Sequence, residues 1–490
     1  MTPVTESSLK QKTVKGLFWG GVSNGLQQLL GVVFGIAMAR LLTKEDYGMI
    51  NVLGIFSGIA ITIVNSGFSV ALTNKKDAGN NDYNAVFWFT VFVGLFLYGV
   101  LFFCAPLIGR YFNQPELVPL ARFLFIVFLI SGMSTASYTV MFKKMMTKQQ
   151  AVIDVVCMLI ALSTGIVLAF NGFAYWSLAA QMVIQHCLTA VLRFIIAPWK
   201  PSLHINFSPL KPLISFSFKL FLTNIFIQIN QYLYSVIFGK LYSIATVGIY
   251  NQGQKWMSMG QQLIGGTINY VTQPVLVQLN ANKNRQVHVL RKLIRFGAFV
   301  SFPLMLGLAF VGREFILIAL GEKWLPSVPF LQLACIWGSV VFLSTLYTNL
   351  IYAHGKSGWY LYGTIGIGLL QLAAAVGLYP LGIFAIIIGS IVACFIGLGF
   401  WQYCVSKIIR LRLRDVLKDT LPYLAVTLCC FFITWLLTKN IVNLYALITA
   451  KIGISAFLYI LIMKYSGSVM YKESMLFLLQ RFKHFNKQTQ

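Results

Sequence analysis

The stretch Ile383 to Val405 reads IFAIIIGSIVACFIGLGFWQYCV and carries no charge. Runs like it recur from one end of the chain to the other. A hydrocarbon core of ~30 Å is crossed by about 20 helical residues. Inside lipid every backbone N–H and C=O must find its partner within the protein, which an α-helix provides. Composition agrees: of 490 residues, 58% are hydrophobic and 10% charged, where a soluble domain carries about 25% charge. The sequence predicts an all-α polytopic membrane protein with about 14 transmembrane helices. They are Gly16–Leu41, Met49–Leu72, Asn84–Leu107, Leu117–Val140, Ala151–Phe170, Ala174–Ile196, Leu213–Phe238, Ile249–Leu276, Arg295–Val311, Val328–Ala353, Trp359–Leu378, Ile383–Val405, Leu421–Leu437 and Leu444–Met463.

The formal net charge of +26 would suggest nucleic acid in a soluble protein. Here the cations sit in short loops between apolar runs, so topology explains them and no nucleic acid is expected. The clusters at Lys10–Lys15, Lys143–Lys148, Lys283–Arg295, Lys407–Lys418 and the 464–490 tail alternate onto one side, which the positive-inside rule makes the cytoplasm. Both termini are then cytoplasmic. The first span follows three lysines as a signal peptide would, but it is too long and is broken by Asn24, Gln27 and Gln28, so it is expected to be retained. Eight cysteines lie almost entirely within apolar runs and form no CxxC, and the five histidines are scattered. The sequence therefore predicts no disulfide framework, no metal site and no cofactor.

An internal repeat sets the organisation. Asn24–Asn51 reads NGLQQLLGVVFGIAMARLLTKEDYGMIN, and Asn224–Asn251 reads NIFIQINQYLYSVIFGKLYSIATVGIYN. Without a gap, Asn24 falls on Asn224, Gln28 on Gln228, Arg40 on Lys240, Leu41 on Leu241, Gly48 on Gly248 and Asn51 on Asn251. Such self-similarity marks one structural unit used twice. An even number of spans separates the copies, so both enter the membrane in the same direction, as in a parallel repeat. The expected organisation is an N-lobe (1–197, spans one to six), a proline-rich cytoplasmic linker (198–212) and a C-lobe (213–406, spans seven to twelve). Two extra spans (407–463) and a basic cytoplasmic tail (464–490) follow.

Polar side chains inside a membrane are expensive and usually face the bundle interior. Asn24 and Gln28 share a helix face, as do Asn224 and Gln228, four residues apart in each copy. Gln254, Gln261 and Gln262 share another in span eight. These amides either line a cavity or hydrogen-bond helices together. Lys219 and Lys255 lie about 9 Å into their spans at 1.5 Å per residue, and Arg122 lies a few residues into span four. They either give the cavity a positive lining suited to phosphate or snorkel to the interface, as Lys451 is expected to do. Arg40 and Lys240 stand at an outer rim, or cap their helix C-termini. Of twelve acids, the span boundaries place only Asp154 inside a span. It is the one candidate for ion coupling. No paired carboxylates, nucleophile–base pair or metal set is present, so no enzyme activity is expected.

Several motifs resemble one family. Ala39-Arg40-Leu41-Leu42-Thr43-Lys44-Glu45-Asp46-Tyr47-Gly48 is similar to the segment after the first span of Wzx-type polysaccharide exporters, the WzxC-like branch of the multidrug/oligosaccharidyl-lipid/polysaccharide (MOP) superfamily. Phe142-Lys143-Lys144 with Ala151–Val155, Val247-Gly248-Ile249-Tyr250, and Gly321-Glu322-Lys323-Trp324 resemble later family segments. The second copy lacks the acidic turn Glu45-Asp46 of the first. The resemblance implies two six-helix lobes in a MATE-like V around a central cavity, plus two extra helices. It implies flipping of an undecaprenyl-pyrophosphate-linked oligosaccharide (an O-antigen, capsule or exopolysaccharide unit) across the bacterial inner membrane. The partners would be that lipid-linked substrate, membrane lipids, and a polysaccharide polymerase and glycosyltransferases. Two other readings are a proton- or sodium-coupled drug exporter of the same fold, and a membrane polysaccharide polymerase or ligase. The acid census opposes the first, and the short outer loops oppose the second.

Overall fold

The computed structural model describes residues 6–65, 72, 73, 75, 78–203, 205–278, 283–467 and 470–473, with the side chains of 6–18, 65, 211–221, 263, 266–278 and 357 outside the description. Among the described residues there is no strand. The helices are α1 (Glu6–Leu41), α2 (Lys44–Asn65), α3 (Asn80–Phe112), α4 (Leu117–Leu124), α5 (Ile126–Lys143), α6 (Thr147–Phe170), α7 (Tyr175–Ile196), α8 (Lys211–Leu241) and α9 (Ile244–Gln278). They continue with α10 (Lys283–Phe310), α11 (Gly312–Ala319), α12 (Val328–Gly338), α13 (Val341–Ala353), α14 (Ser357–Gly377), α15 (Ile383–Ile409), α16 (Leu413–Thr438) and α17 (Leu444–Tyr465).

Eleven of the described stretches are long and apolar enough to cross a membrane, or twelve if the bent pair α12–α13 is one span. The amide-rich α8 and α9 are not among these, but at 31 and 35 residues they are long enough, since a 20-residue helix already spans ~30 Å. Predicted spans four and ten are each interrupted. The fourth breaks at Phe125, between α4 and α5. The tenth bends by 42° at Ser339–Val340, beside a Gly–Ser pair, where helices commonly kink. A kink frees backbone carbonyls that lipid cannot satisfy. Here Ser301 Oγ donates to the Ser339 carbonyl at 2.9 Å, and Gln261 Nε2 donates to that of Gly338.

The chain forms two compact units, Met1–Asn251 and Gln252–Gln490. In the first, α3 packs on α5, α6 on α7, α1 on α6, and α8 along α2. The α3–α5 crossing is set by glycine: a Cβ on Gly94 would lie 2.6 Å from the Phe128 carbonyl oxygen. Small residues of this kind let backbones approach closely in lipid, where apolar surface alone gives no preference for helix over tail. Thr90 Oγ1 crosses the gap to the Gly132 carbonyl at 2.8 Å. The first unit extends past the 198–212 linker because α8 lies on α2, with Gln228 Nε2 donating to Thr62 Oγ1 at 3.3 Å. In the second unit, α14 packs on α15, α10 on α12 and α16, and α16 on α17.

Candidate functional site

The repeated segment has the same local structure in both copies. α1 ends at Leu41 and α8 at Leu241; α2 begins at Lys44 and α9 at Ile244. At the first turn of α2, Thr43 Oγ1 and the Thr43 N–H both donate to Asp46 Oδ2 at 2.8 Å, and the Asp46 N–H donates back to Thr43 Oγ1 at 3.2 Å. This reciprocal arrangement satisfies helix-start donors that would otherwise be orphaned. In the second copy the Thr246 N–H donates to Ser243 Oγ at 3.1 Å, and the two hydroxyls lie 2.9 Å apart. Asn51 Nδ2 donates to the Tyr47 carbonyl at 2.7 Å, and Asn251 Nδ2 to the Val247 carbonyl at 2.9 Å.

The copies also touch each other at these turns. A Cβ on Gly48 would stand 2.7 Å from the Ile244 carbonyl carbon, and one on Gly248 would stand 2.9 Å from that of Lys44. Position 44 equals 244 and 48 equals 248 under the repeat, so the contact is self-complementary, as at a two-fold axis. Only glycine at both positions permits this approach.

The predicted cations and amides fall as follows. Lys219 lies on α8, and its side chain is outside the described residues. Lys255, on α9, places Nζ 5.7 Å from the Trp256 ring centroid. Arg122, on α4, is turned to α3: its guanidinium carbon sits 4.4 Å over the Phe102 ring and Nε points to the Phe102 carbonyl at 3.4 Å. Lys240 donates to the Tyr111 carbonyl at 2.7 Å and lies 4.6 Å over that ring. It thus meets the last turn of α3, the negative end of a helix dipole. Arg40 is exposed at the end of α1. Asn24, Asn224 and Gln262 are exposed, and Gln28 and Gln254 are half-buried. Gln228 and Gln261 are each committed to the contacts already given, one to α2 and one to the α12–α13 kink.

Among the described residues every buried acid has a cation or a cap beside it, although Glu314 Oε2 itself accepts no hydrogen bond. Asp46 closes the α2 cap, and Asp82 meets Lys75 at 2.7 Å. Asp154 Oδ1 accepts from Arg193 Nη2 at 2.9 Å, between α6 and α7. Asp419 takes a bidentate pair from Arg291, at 2.6 and 3.1 Å, with Arg295 at 3.4 Å. Glu314 pairs with Lys451 at 2.8 Å, both nearly buried at 9% and 12% side-chain exposure. Two expectations change here. Lys451 does not snorkel, because it turns inward to Glu314. Asp154 is not the one acid within a helix of membrane-crossing length, because α16 starts early enough to include Asp419; Glu314 lies on the short α11, beyond the predicted end of span nine. Neither pairing has a local signature, since the partners are more than 120 residues apart. Among the described residues no group of His, Cys, Asp and Glu is placed to hold a metal ion.

A family model described as polysaccharide biosynthesis protein matches residues 37–329. The chain belongs to that family. Among the relatives of this chain is "Lipopolysaccharide biosynthesis protein WzxC" of Escherichia coli K12, 22% identical over 68% of each chain. "Teichuronic acid biosynthesis protein TuaB" of Bacillus subtilis is 22% identical over 86% of this chain and 89% of its own. Among solved structures, lipid II flippase MurJ in an inward closed conformation superposes with a TM-score of 0.74 at 15% identity, covering 94% of this chain and all of that one. An inward-facing MATE-family multidrug transporter of the MOP superfamily gives 0.62 at 14%, covering 78% and 96%. The fold is therefore the one MurJ and MATE transporters share, as the resemblance implied.

Proposed function

We propose that this chain is a multi-pass transporter of the bacterial inner membrane that flips an undecaprenyl-pyrophosphate-linked oligosaccharide from the cytoplasmic to the periplasmic leaflet. The names of its relatives, the flippase among its fold neighbours and its family support a polysaccharide export role. The observation that favours an anionic cargo is the pairing of the buried acids: among the described residues each already has a cation or a cap, which leaves no uncompensated buried carboxylate to hold a cationic drug. The chain as a whole keeps a formal charge of +26.

In this reading two six-helix lobes alternate access to a cationic central cavity. Lys219, Lys255 and Arg122 hold the pyrophosphate, and Arg40 and Lys240 stand at the outer rim. Amides of the first, seventh and eighth spans hydrogen-bond sugar. The last two of fourteen spans are additions, and both termini are cytoplasmic. Glycosyltransferases would supply the substrate and a polymerase would consume it. The MATE likeness keeps a drug exporter in view, but the coupling acid expected from the sequence, Asp154, is engaged by Arg193. Asp154→Asn is expected to leave drug resistance unchanged.

The deciding experiment replaces Lys219 and Lys255 by Gln and measures surface polysaccharide alongside membrane protein level. Loss of polysaccharide at normal protein level is expected. Normal polysaccharide in the double variant would end the cationic-cavity reading.

A further inference from the structure

The turn between α15 and α16 carries Arg410-Leu411-Arg412-Leu413-Arg414. Its three arginines are exposed while Leu411 is only 1% exposed. The turn is built rather than slack. Arg410 closes α15 in the left-handed region (φ 59°) with its N–H on the Ser406 carbonyl at 3.0 Å. A non-glycine residue there persists only where its surroundings hold it. The buried amide of Gln402 supplies that hold, donating to the Leu411 carbonyl at 3.0 Å.

The nearby acids do not answer these charges. Asp415 and Asp419 both face Arg291 on α10. Among the described residues, none of Arg410, Arg412, Arg414 and Lys418 has an acidic partner. Directly along α16 from this cluster, Leu413, Leu417 and Leu421 are 56%, 41% and 50% exposed, four residues apart on one face. Guanidinium groups bind phosphate oxygens bidentately. A cluster of basic residues at the end of a lipid-facing helix matches a charged head joined to acyl chains.

We propose that the α15–α16 turn is a binding site for an anionic membrane phospholipid, with the phosphate on Arg410, Arg412 and Arg414 and an acyl chain along Leu413, Leu417 and Leu421. This site is separate from the cavity cations and does not depend on the transported substrate.

The test uses the full-length protein in uncharged detergent, titrated with phosphatidylglycerol and phosphatidylcholine of matched chains, with first-lipid Kd read by native mass spectrometry. The wild type is expected to prefer phosphatidylglycerol at least tenfold. R410Q/R412Q/R414Q is expected to reduce that preference below twofold, and K143Q/K144Q/K148Q to retain it. Single arginine variants, each losing part of the preference, guard against misfolding of the triple. Equal loss in both triple variants would reduce the effect to general positive charge and overturn the site. So would a wild type without preference, or displacement of the lipid by equimolar inorganic phosphate.

Discussion

Gly48→Ala tests the joint where the two copies meet. A methyl on Gly48 would stand 2.7 Å from both the carbonyl carbon and Cγ2 of Ile244, where ordinary contact begins at 3.4 Å. The first turns of α2 and α9 must part by at least the difference of those two figures, 0.7 Å, and neither backbone can rotate away as a side chain would. Overpacking of this kind costs about 1–3 kcal/mol, which shifts the parted-to-joined ratio by roughly 5- to 150-fold. Val247, fully buried in the first turn of α9, gives the readout. In a background with the eight native cysteines replaced, Val247→Cys should react with a membrane-impermeant maleimide faster by that factor once Gly48 is Ala. Adding Gly248→Ala should then contribute less than it does alone, because the turns are already apart; neighbours sharing one contact couple by about 0.5–3 kcal/mol. A labelling rate within twofold of the parent, together with strict additivity, would refute the joint.

Other outcomes follow from the ion pairs and one histidine. Glu314→Gln strands Lys451 and should destabilise the protein by about 3–5 kcal/mol, whereas E314L/K451M should recover most of that, since apolar pairs often replace buried ion pairs without loss; thermal unfolding in detergent reads both. Asp419→Asn should lower stability less, by about 1–3 kcal/mol, because Arg291 is 31% exposed and partly solvated. Conversely, Lys240→Gln should change stability by under ~1 kcal/mol, since the cation is exposed and a surface charge at a helix end contributes little. Burial, followed by Lys356 and Lys283, holds the His354 imidazole below its ordinary 6.5. The unfolded chain therefore takes up that proton first, and stability falls as pH drops below about 6.5; His354→Gln should flatten this acid limb in the melting temperature.

The helices were legible because lipid makes hydropathy a direct record of burial in the bilayer: the ends of α1, α7, α13 and α17 fall within two residues of the predicted span ends. The repeat was legible because its rarest letters, an amide pair, a cation and a glycine, recur at one offset. What lay beyond a linear reading is pairing at a distance. Glu314 reads as a loop acid until α17 brings Lys451 to it. Gln228 and Gln261 read as cavity amides, yet one reaches Thr62 and the other a carbonyl freed by a kink that their own sequence does not announce. Arg193, three residues before the end of the predicted span Ala174–Ile196, reads as one more cytoplasmic-side cation, yet it answers Asp154.

The caps of α2 and α9 share a backbone N–H that donates to the hydroxyl three residues before it and a side-chain contact between the same two positions, with different chemistry: Thr43 and Asp46 in the first, Ser243 and Thr246 in the second. A duplicated half can therefore drift in its letters without loosening its hinge pin, provided that each replacement still offers an oxygen where a helix opens. The glycines have no such latitude, because nothing else is small enough to stand in for them. Ancestry in a protein of this kind would then persist longest where the backbone itself is the contact surface, and fade soonest in the side chains that merely serve it.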